Sequence, residues 1–297
     1  MSIFSIAGST PSDSGFELKS VRFNDGSSSY LVQPAANQLE GDRTRWTFSA
    51  WAKRGALTGV TQHIFGTYGA GNQIGELDFH STDSIQWEEY NSGTVGKLRT
   101  TALYRDPAAW YHIVIVWNTH IATATDKMKM YVNGERVTSF SVQTNPGTPS
   151  DSVTNLAVDR AIGAQANGNQ YMDGYIAEAY FLDGIVDVGP EAFGETNEDT
   201  NQWQPKNPTD IKKGVTFGLN GFYLPFSNDA LATSFTDSVK YKAESFTTIG
   251  ANTWTCPAGV SSAHILVVAG GGGGSANNSG GGGGGGVVEH TSYAVTA

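Results

Sequence analysis

The chain has 297 residues, of which 15% are charged and 11% aromatic, and its net charge is −10. The aromatic content argues against a disordered chain, and the acidic balance without any Lys- or Arg-rich run argues against binding to nucleic acid. No run of about 18 apolar residues predicts a membrane span, no signal peptide is recognisable, and the lone Cys256 excludes an intramolecular disulfide.

The first 180 residues show the alternation of apolar and polar positions that is typical of β-strands. The predicted strands, in chain order, are 16–23, 29–32, 46–53, 62–68, 74–80, 85–90, 97–103, 110–117, 127–132, 135–140, 155–162 and 171–182. Residues 110–117 are apolar on both faces, which predicts a central strand covered on both sides. Asn133-Gly134 predicts a type I′ hairpin, because both turn residues need a positive φ. Many short strands with frequent turns predict a two-sheet antiparallel sandwich.

Two further regions follow the predicted sandwich. Residues 184–228 are irregular apart from an apolar strand at 221–226, and we interpret them as an extension that packs on the sandwich. The last region has predicted strands at 246–249 and 263–269, followed by two glycine runs. The glycine runs fit either a flexible linker or close backbone packing in an oligomer. The predicted domains are an N-terminal arm, the sandwich, the extension and a glycine-rich module, over residues 1–14, 15–183, 184–244 and 245–297.

Several segments of the sandwich resemble the laminin-G-like, concanavalin-A-like jelly roll: VRFNDGSSSYL, WTFSAWAKRG, WYHIVIVWN, KMYVNGERV and DGYIAEAYFLDG. The stretches FGETNEDTNQWQPKNPTD and NGFYLPFSND are similar to sandwich proteins that recur as virion or tail-fibre components in tailed phages of marine bacteria. The end, NTWTCPAGVSSAHILVVAGGGGG, resembles the glycine-rich module often attached to such fibres. The resemblance implies an all-β jelly roll with a small, glycine-rich β module at the C-terminus.

Glu76, Asp78 and His80 are the strongest candidates for catalysis, because alternate residues of a predicted strand share one face. Laminarinase-type glycosidases of the resembled fold carry Glu-x-Asp-x-Glu on one strand, with one Glu as nucleophile and the other as acid/base. His80 replaces the second Glu here. We therefore expect no enzymatic activity, and assign Glu76 and Asp78 to candidate ligand binding.

The resemblance also implies that calcium can bind at the rim, since laminin-G-like domains often hold calcium with Asp, Asn and backbone oxygens. The candidates Asn24, Asp25, Asp173 and Asp183 all lie at predicted turns, and each also fits ordinary turn chemistry. The six histidines show no His-x-His or His-x₃-His spacing, which argues against zinc. The metal content stays open, and no other cofactor is expected.

Trp87 and Tyr90 are the aromatic candidates for binding a carbohydrate, because exposed rings stack on the C–H faces of sugars. Trp87 alternates with Ile85 and Glu89, and therefore fits the hydrophobic core as well. For Trp87 both interpretations remain open.

Together these observations predict a non-enzymatic structural protein on the exterior of a phage virion, a fibre-type subunit of the tail or capsid that binds host-surface glycans. A particle released by lysis needs neither a signal peptide nor disulfides. The expected partners are other virion proteins, a host glycan and further copies of the chain, with a trimer implied by the resemblance. One alternative is a capsid or tail decoration protein without glycan affinity. Another is a polysaccharide depolymerase.

Overall fold

A computed structural model of the chain describes residues 4–5, 18–57, 59–226, 253–254, 262–270 and 285–295. The chain divides into two compact units, residues 1–241 and 242–297. Apart from residues 4–5, the predicted N-terminal arm lies outside the described residues. The predicted strand 246–249, Cys256 and most of both glycine runs lie outside them as well.

The strands of the first unit are, in chain order, β1 (Phe4–Ser5), β2 (Lys19–Phe23), β3 (Leu31–Gln33), β4 (Arg45–Arg54), β5 (Gln62–Gly69), β6 (Gln73–Phe79), β7 (Ile85–Tyr90), β8 (Thr94–Thr100), β9 (Tyr111–Asn118), β10 (Met128–Val132), β11 (Glu135–Arg136), β12 (Phe140–Thr144), β13 (Asp159–Ile162), β14 (Gly174–Asp183), β15 (Gly194–Thr196), β16 (Trp203–Pro205) and β17 (Phe222–Leu224). Within the described residues they form an eight-stranded sheet, β1-β2-β14-β4-β9-β10-β11 with β17 beside β14. A seven-stranded sheet has the order β12-β8-β7-β6-β5-β13-β3, and β15 pairs with β16.

All pairings between neighbouring strands of the two large sheets are antiparallel, which confirms the predicted all-β antiparallel sandwich. Alternate side chains of both sheets point inward and form one apolar core, in which the rings of Trp46, Phe65, Trp87 and Phe181 contact one another. Burial of these aromatic surfaces stabilises the sandwich, because each removes a large apolar area from water.

A second apolar cluster covers the outer face of the eight-stranded sheet. Val114 and Val116 of β9 and Tyr180 and Leu182 of β14 point outward into it. The extension after residue 184 supplies the other side, with Phe193, Ile211 and Phe217. The strand β9 is therefore buried on both faces, as its apolar sequence predicts. The extension packs on the sandwich as expected.

Parts of the extension are more regular than its sequence indicates. Residues 194–205 form the hairpin β15–β16, and α1 (Pro208–Gly214) follows it. Asn207 caps α1 by accepting a hydrogen bond from the Thr209 amide, and Pro208 occupies the first turn, where its missing N–H costs nothing. Within the part of the chain that the structure describes, none of the helices has the length and apolar character of a membrane span.

The predicted hairpin after β10 has its turn at Asn133-Gly134, and both residues have positive φ, 51° and 84°. Simple alternation over residues 127–132 predicts that Lys127 and Lys129 point to solvent. Lys127 is buried rather than solvent-facing, and its ammonium donates a hydrogen bond to the carbonyl of Pro146 at 2.8 Å. A single predicted strand at 135–140 is instead the short β11 followed by β12, which joins the other sheet.

In the second unit, β18 (Ser262–Val268) pairs antiparallel with β19 (Val287–Ala294). The two glycine runs lie between these strands in the sequence. Leu266, Val267, Val268, Val287 and Val288 of the pair are exposed, each to more than half of its surface.

Candidate functional site

Three titratable side chains meet on the outer face of the seven-stranded sheet. Glu76 and Asp78 are two positions apart on β6, so their side chains point to the same side. His63 of β5 lies directly opposite Asp78 in the strand pairing. The potential metal-ligand atoms of these three residues all lie within 4.8 Å of one another. The register between β5 and β6 therefore brings these three side chains together.

Glutamine side chains and a backbone carbonyl surround this cluster. Gln165 donates a hydrogen bond to Glu76 Oε2 at 3.0 Å, and Gln86 donates one to Asp78 Oδ2 at 3.2 Å. His63 Nε2 lies 2.8 Å from Glu76 Oε2, and its Nδ1 lies 3.4 Å from the carbonyl oxygen of Gln170. The other oxygen of Asp78, Oδ1, is buried and has no hydrogen-bond partner.

Burial and mutual charge shift the pKa values of the cluster. Burial raises the pKa of Asp78 to about 7, although the neighbouring His63 opposes this shift and the charge of Glu76 adds to it. Burial lowers the pKa of His63, but its hydrogen bond to Glu76 and the charges of Asp78 and Glu76 raise it more, so that the net shift is upward. The cluster therefore holds protons near neutral pH that isolated carboxylates would have lost.

The segment between β13 and β14 lies over this part of the sheet. Gly66 of β5 permits the contact, because a Cβ at this position would lie only 3.1 Å from the carbonyl oxygen of Ala164 and from Cα of Gln165. The absence of a side chain thus brings Gln165 within reach of Glu76.

A cavity of about 570 Å³ opens at the rim, where the same segment turns back toward β14. Its polar lining consists of Asp25, Thr61, Ser81, Gln170 and Tyr171, beside the turn at 59–60. Gln170 contributes to both the cavity and the titratable cluster. It lines the cavity, and its backbone carbonyl oxygen faces His63. The rim thus brings an aromatic residue together with an acidic residue, a glutamine and two hydroxyl-bearing residues.

Of the four predicted ligand-binding residues, the structure brings three to one face. Glu76 and Asp78 share the outer face with Tyr90, which pairs across the strands with Ile74. Trp87 pairs with Leu77 and points to the opposite side, where it is fully buried against Trp46. The ligand-platform interpretation of Trp87 is corrected accordingly, because no sugar can reach a ring that is completely inside the core.

The remaining catalytic candidate, His80, follows the end of β6 and has its ring within hydrogen-bonding distance of Thr82 Oγ1, at 2.9 Å. On the next strand, Glu88 is paired with Lys97 at 2.5 Å. Asp78 is fully buried. The acidic strand therefore does not present two accessible carboxylates to a groove.

The four calcium candidates do not converge on one ion. Asp173 and Asp183 lie at opposite ends of β14, about 30 Å apart at the usual rise per residue. Asp173 pairs with Arg22 at 2.6 Å, and Asp183 accepts hydrogen bonds from the Asp42 amide and the Asn155 side chain. Asn24 accepts a hydrogen bond from the amide of Gly26. These residues serve turns and strand ends, and as a set they do not fit calcium.

Sequence reasoning missed His63, Gln165, Gln170 and Tyr171. His63 lies thirteen residues from Glu76, and Gln165 lies 89 residues from it, so no local spacing signals their contact. Alternation along β5 would place His63 on the same face as the buried Phe65. A β-bulge between these two residues instead brings His63 opposite Asp78 on the outer face, so the sequence offered no signal for it. The lack of closely spaced histidines does not exclude zinc, because His63 meets its two carboxylates through strand pairing and not through sequence spacing.

The fold and this polar outer face define a two-sheet β-sandwich of the lectin-like class. The family model described as the concanavalin A-like lectin/glucanases superfamily matches residues 25–186, more than half of the chain. The chain therefore belongs to this superfamily. A second model, a glycine-rich domain, matches residues 247–297. No curated protein matches the chain.

Solved structures with a similar fold come from several sources. The heptameric SAP-like pentraxin of Limulus polyphemus is 15% identical, with 52% of this chain and 69% of that chain covered and a TM-score of 0.37. A sialidase carbohydrate-binding module of Ruminococcus gnavus bound to α2,3-sialyllactose is 11% identical, with coverage of 50% and 79% and a TM-score of 0.37. Tailspike protein 2 of Escherichia coli O157:H7 bacteriophage CAB120 is 15% identical, with coverage of 63% and 25% and a TM-score of 0.42.

Proposed function

We propose that the protein is a non-enzymatic, carbohydrate-binding structural protein on the exterior of a phage virion, a fibre-type subunit that attaches to host-surface glycans. The rim cavity is the observation that carries the binding part of this proposal. It is lined by Tyr171 together with Asp25, Gln170, Thr61 and Ser81. An aromatic ring can stack on the C–H face of a sugar while the polar groups bind its hydroxyls.

The burial of Asp78 supports the non-enzymatic part. A retaining glycosidase needs two carboxyl groups about 5–5.5 Å apart, on either side of the scissile bond. Asp78 is fully buried and Glu76 is held by His63 and Gln165, so a sugar ring cannot lie between the two carboxyl groups.

The virion part is supported by the resemblance of the extension, residues 193–210 and 220–229, to virion proteins of marine tailed phages. In this protein the extension has a structural role that suits such a subunit, because Phe193, Ile211 and Phe217 close the outer face of one sheet. The rim cavity then remains for a ligand.

Self-association is part of the same proposal, and we expect a trimer. The pair β18–β19 exposes Leu266, Val267, Val268, Val287 and Val288, an apolar surface that a further copy of the chain would cover. Size-exclusion chromatography with light scattering on the full chain tests this expectation. A monomer at micromolar concentration would contradict it.

Glycan binding is tested with the full-length protein on an array of bacterial and host glycans, followed by calorimetry with the best ligand. Tyr171→Ala should weaken binding at least tenfold. Gln170→Asn, which shortens the amide but tolerates the positive φ of 54°, should do the same. Tyr175→Ala is the matched control, because this ring packs beside Trp110 on the other sheet.

Three results would contradict the binding proposal. No binding to any glycan at millimolar concentration would favour a decoration or assembly protein. Release of reducing ends from a polysaccharide would favour a depolymerase. Equal affinity of the Tyr171→Ala variant and the wild type would place the site elsewhere. Electron microscopy of phage particles labelled with antibody against the chain tests the virion location, and unlabelled particles would contradict it.

A further inference from the structure

The cluster of His63, Glu76 and Asp78 has the geometry of a metal site with three protein ligands. An ion bound at about 2.0–2.2 Å from each ligand atom needs ligand atoms that are about 3–4 Å apart. The three candidate atoms already lie within 4.8 Å of one another, so small rotations of the side chains bring them onto one ion. Two of the ligands come from one strand and the third from its neighbour, which makes the arrangement rigid.

An unpaired oxygen points to a missing cation. Asp78 is fully buried, and its Oδ1 has no hydrogen-bond partner. Arg99 of β8 does not supply one, because it donates its hydrogen bonds to Gln86 at 2.6 and 2.8 Å. A buried carboxylate oxygen without a partner is costly, and a bound cation is one of the two ways in which proteins compensate it.

The orientation of His63 is that of a metal ligand. Its Nδ1 faces the Gln170 carbonyl and its Nε2 faces the Glu76 carboxylate, so both ring nitrogens face acceptors. A metal ion would take the place of the proton between Nε2 and Glu76, while Nδ1–H keeps its bond to the carbonyl. Metal-bound histidines commonly donate their second ring N–H to a carbonyl or carboxylate in this way.

We propose that His63, Glu76 and Asp78 bind one divalent transition-metal ion, Zn²⁺ or Mn²⁺. One imidazole and two carboxylates disfavour calcium and magnesium, which take oxygen ligands, and the two negative charges neutralise a divalent ion. Gln165 and Gln86 hold the two carboxylates in place. The side chain of Glu76 remains 14% exposed, which gives the ion an approach from solvent and leaves room for water in the open coordination positions.

The proposal is tested on the full-length protein after removal of metals with EDTA. Calorimetric titration with ZnCl₂ or MnCl₂ should show about one equivalent, while CaCl₂ and MgCl₂ should bind at least tenfold more weakly. His63→Gln and Asp78→Asn should each reduce the affinity for Zn²⁺ at least tenfold. Asp126→Asn and His120→Gln change a carboxylate paired with Arg136 and an imidazole beside Thr44, both away from the cluster, and both variants should bind Zn²⁺ as the wild type does.

Two further measurements keep the test decisive if the buried variants unfold. Glu76→Gln changes the most exposed ligand and should still lower the affinity. Pulsed electron paramagnetic resonance of the Mn²⁺-loaded wild type should show coupling to an imidazole nitrogen. No saturable binding below millimolar metal, unchanged affinity in all three ligand variants, or Mn²⁺ without nitrogen coupling would each overturn the proposal.

Discussion

The outer faces of the two sheets differ in what packs on them. On the eight-stranded sheet, outward Val114 and Tyr180 meet Phe193 and Ile211 of the extension, and the face becomes a second core. On the seven-stranded sheet the outward residues of the central strands are mostly polar, including His63, Glu76, Asp78, Gln86 and Glu88. A sandwich needs only its inner faces for a core. The extension does not cover the outer face of the seven-stranded sheet, called the open face below. The segment between β13 and β14 covers it in part, burying Asp78 and leaving Glu88 and Tyr90 partly exposed.

The buried polar groups of the two faces also differ in whether the chain itself supplies their hydrogen-bond partners. On the covered face, Glu178 accepts hydrogen bonds from Tyr180 at 2.6 Å and from Tyr223 at 2.9 Å. His112 is bonded to Ser49 and Trp203, both of this chain. On the open face, Asp78 Oδ1 has no partner. Hydrogen bonds supplied entirely by the chain fit a structural role, whereas the proposed metal ion would supply the missing partner of Asp78 Oδ1.

The largest effect should follow from opening the covered face. Phe193 is buried against Tyr180 and His112, so Phe193→Ala should lower the free energy of unfolding by about 3–5 kcal/mol. Tyr90→Ala removes a half-buried ring from the open face and should lower the free energy of unfolding by only about 1–2 kcal/mol. Urea denaturation measures both, and similar losses would contradict the distinction between the two faces.

The covered face should also make stability depend on pH through Glu178. Burial raises the pKa of Glu178 to about 7, although the bonds from Tyr180 and Tyr223 and the charge of Lys212 oppose this shift. From pH 4.5 to 7 the folded chain keeps a proton that the unfolded chain releases, so stability falls as pH rises, by up to about 1.4 kcal/mol per pH unit.

Glu178→Gln should remove this part of the slope in urea denaturation at pH 5, 6 and 7. Asp126→Asn is the control. The hydrogen bond from Arg136 lowers the pKa of Asp126, so this carboxyl is ionised in both states above pH 5 and adds no slope there. An unchanged slope in Glu178→Gln would mean that its carboxyl is ionised in the folded protein.

A smaller effect is expected where the extension is tied to β9 by one hydrogen bond. Trp203 Nε1 donates to His112 Nδ1 at 3.0 Å, and burial lowers the pKa of His112 to about 3, which keeps the ring neutral. Trp203→Phe leaves His112 Nδ1 without this donor and should lower the free energy of unfolding by about 1–3 kcal/mol. Trp110→Phe, which alters a half-buried ring beside Tyr175, is the control in thermal unfolding, and equal losses would contradict a specific role for the bond.

The smallest effect is expected on the open face itself. Lys97 and Glu88 form an ion pair at 2.5 Å with both side chains partly exposed. Glu88→Gln keeps an acceptor for the Lys97 ammonium, so it should lower the free energy of unfolding by about 1 kcal/mol or less. The loss should depend little on salt, because the pair is mostly buried. A loss above 2 kcal/mol would show that this face also carries stability.

Sequence patterns were most informative where they depend on local physics. The alternation of residues 85–90 predicted both ends of β7, and that of residues 46–53 and 62–68 predicted the ends of β4 and β5 to within one residue. Asn133-Gly134 predicted its turn because few other residue pairs adopt positive φ twice. Strand β12 and helix α1 were missed, since both are short and held by contacts with distant segments.

For the candidate site, the sequence determined which side chains of one strand share a face, because the side-chain period of a strand is two. It therefore grouped Glu76 with Asp78 and Trp87 with Glu89. It did not determine which face is inside. That depends on strand register and on what covers each sheet, and only the tertiary structure buried Trp87, brought His63 opposite Asp78 and laid Gln165 over Gly66. Contacts between residues far apart in sequence leave no periodic signal, because the strand pairing alone brings them together.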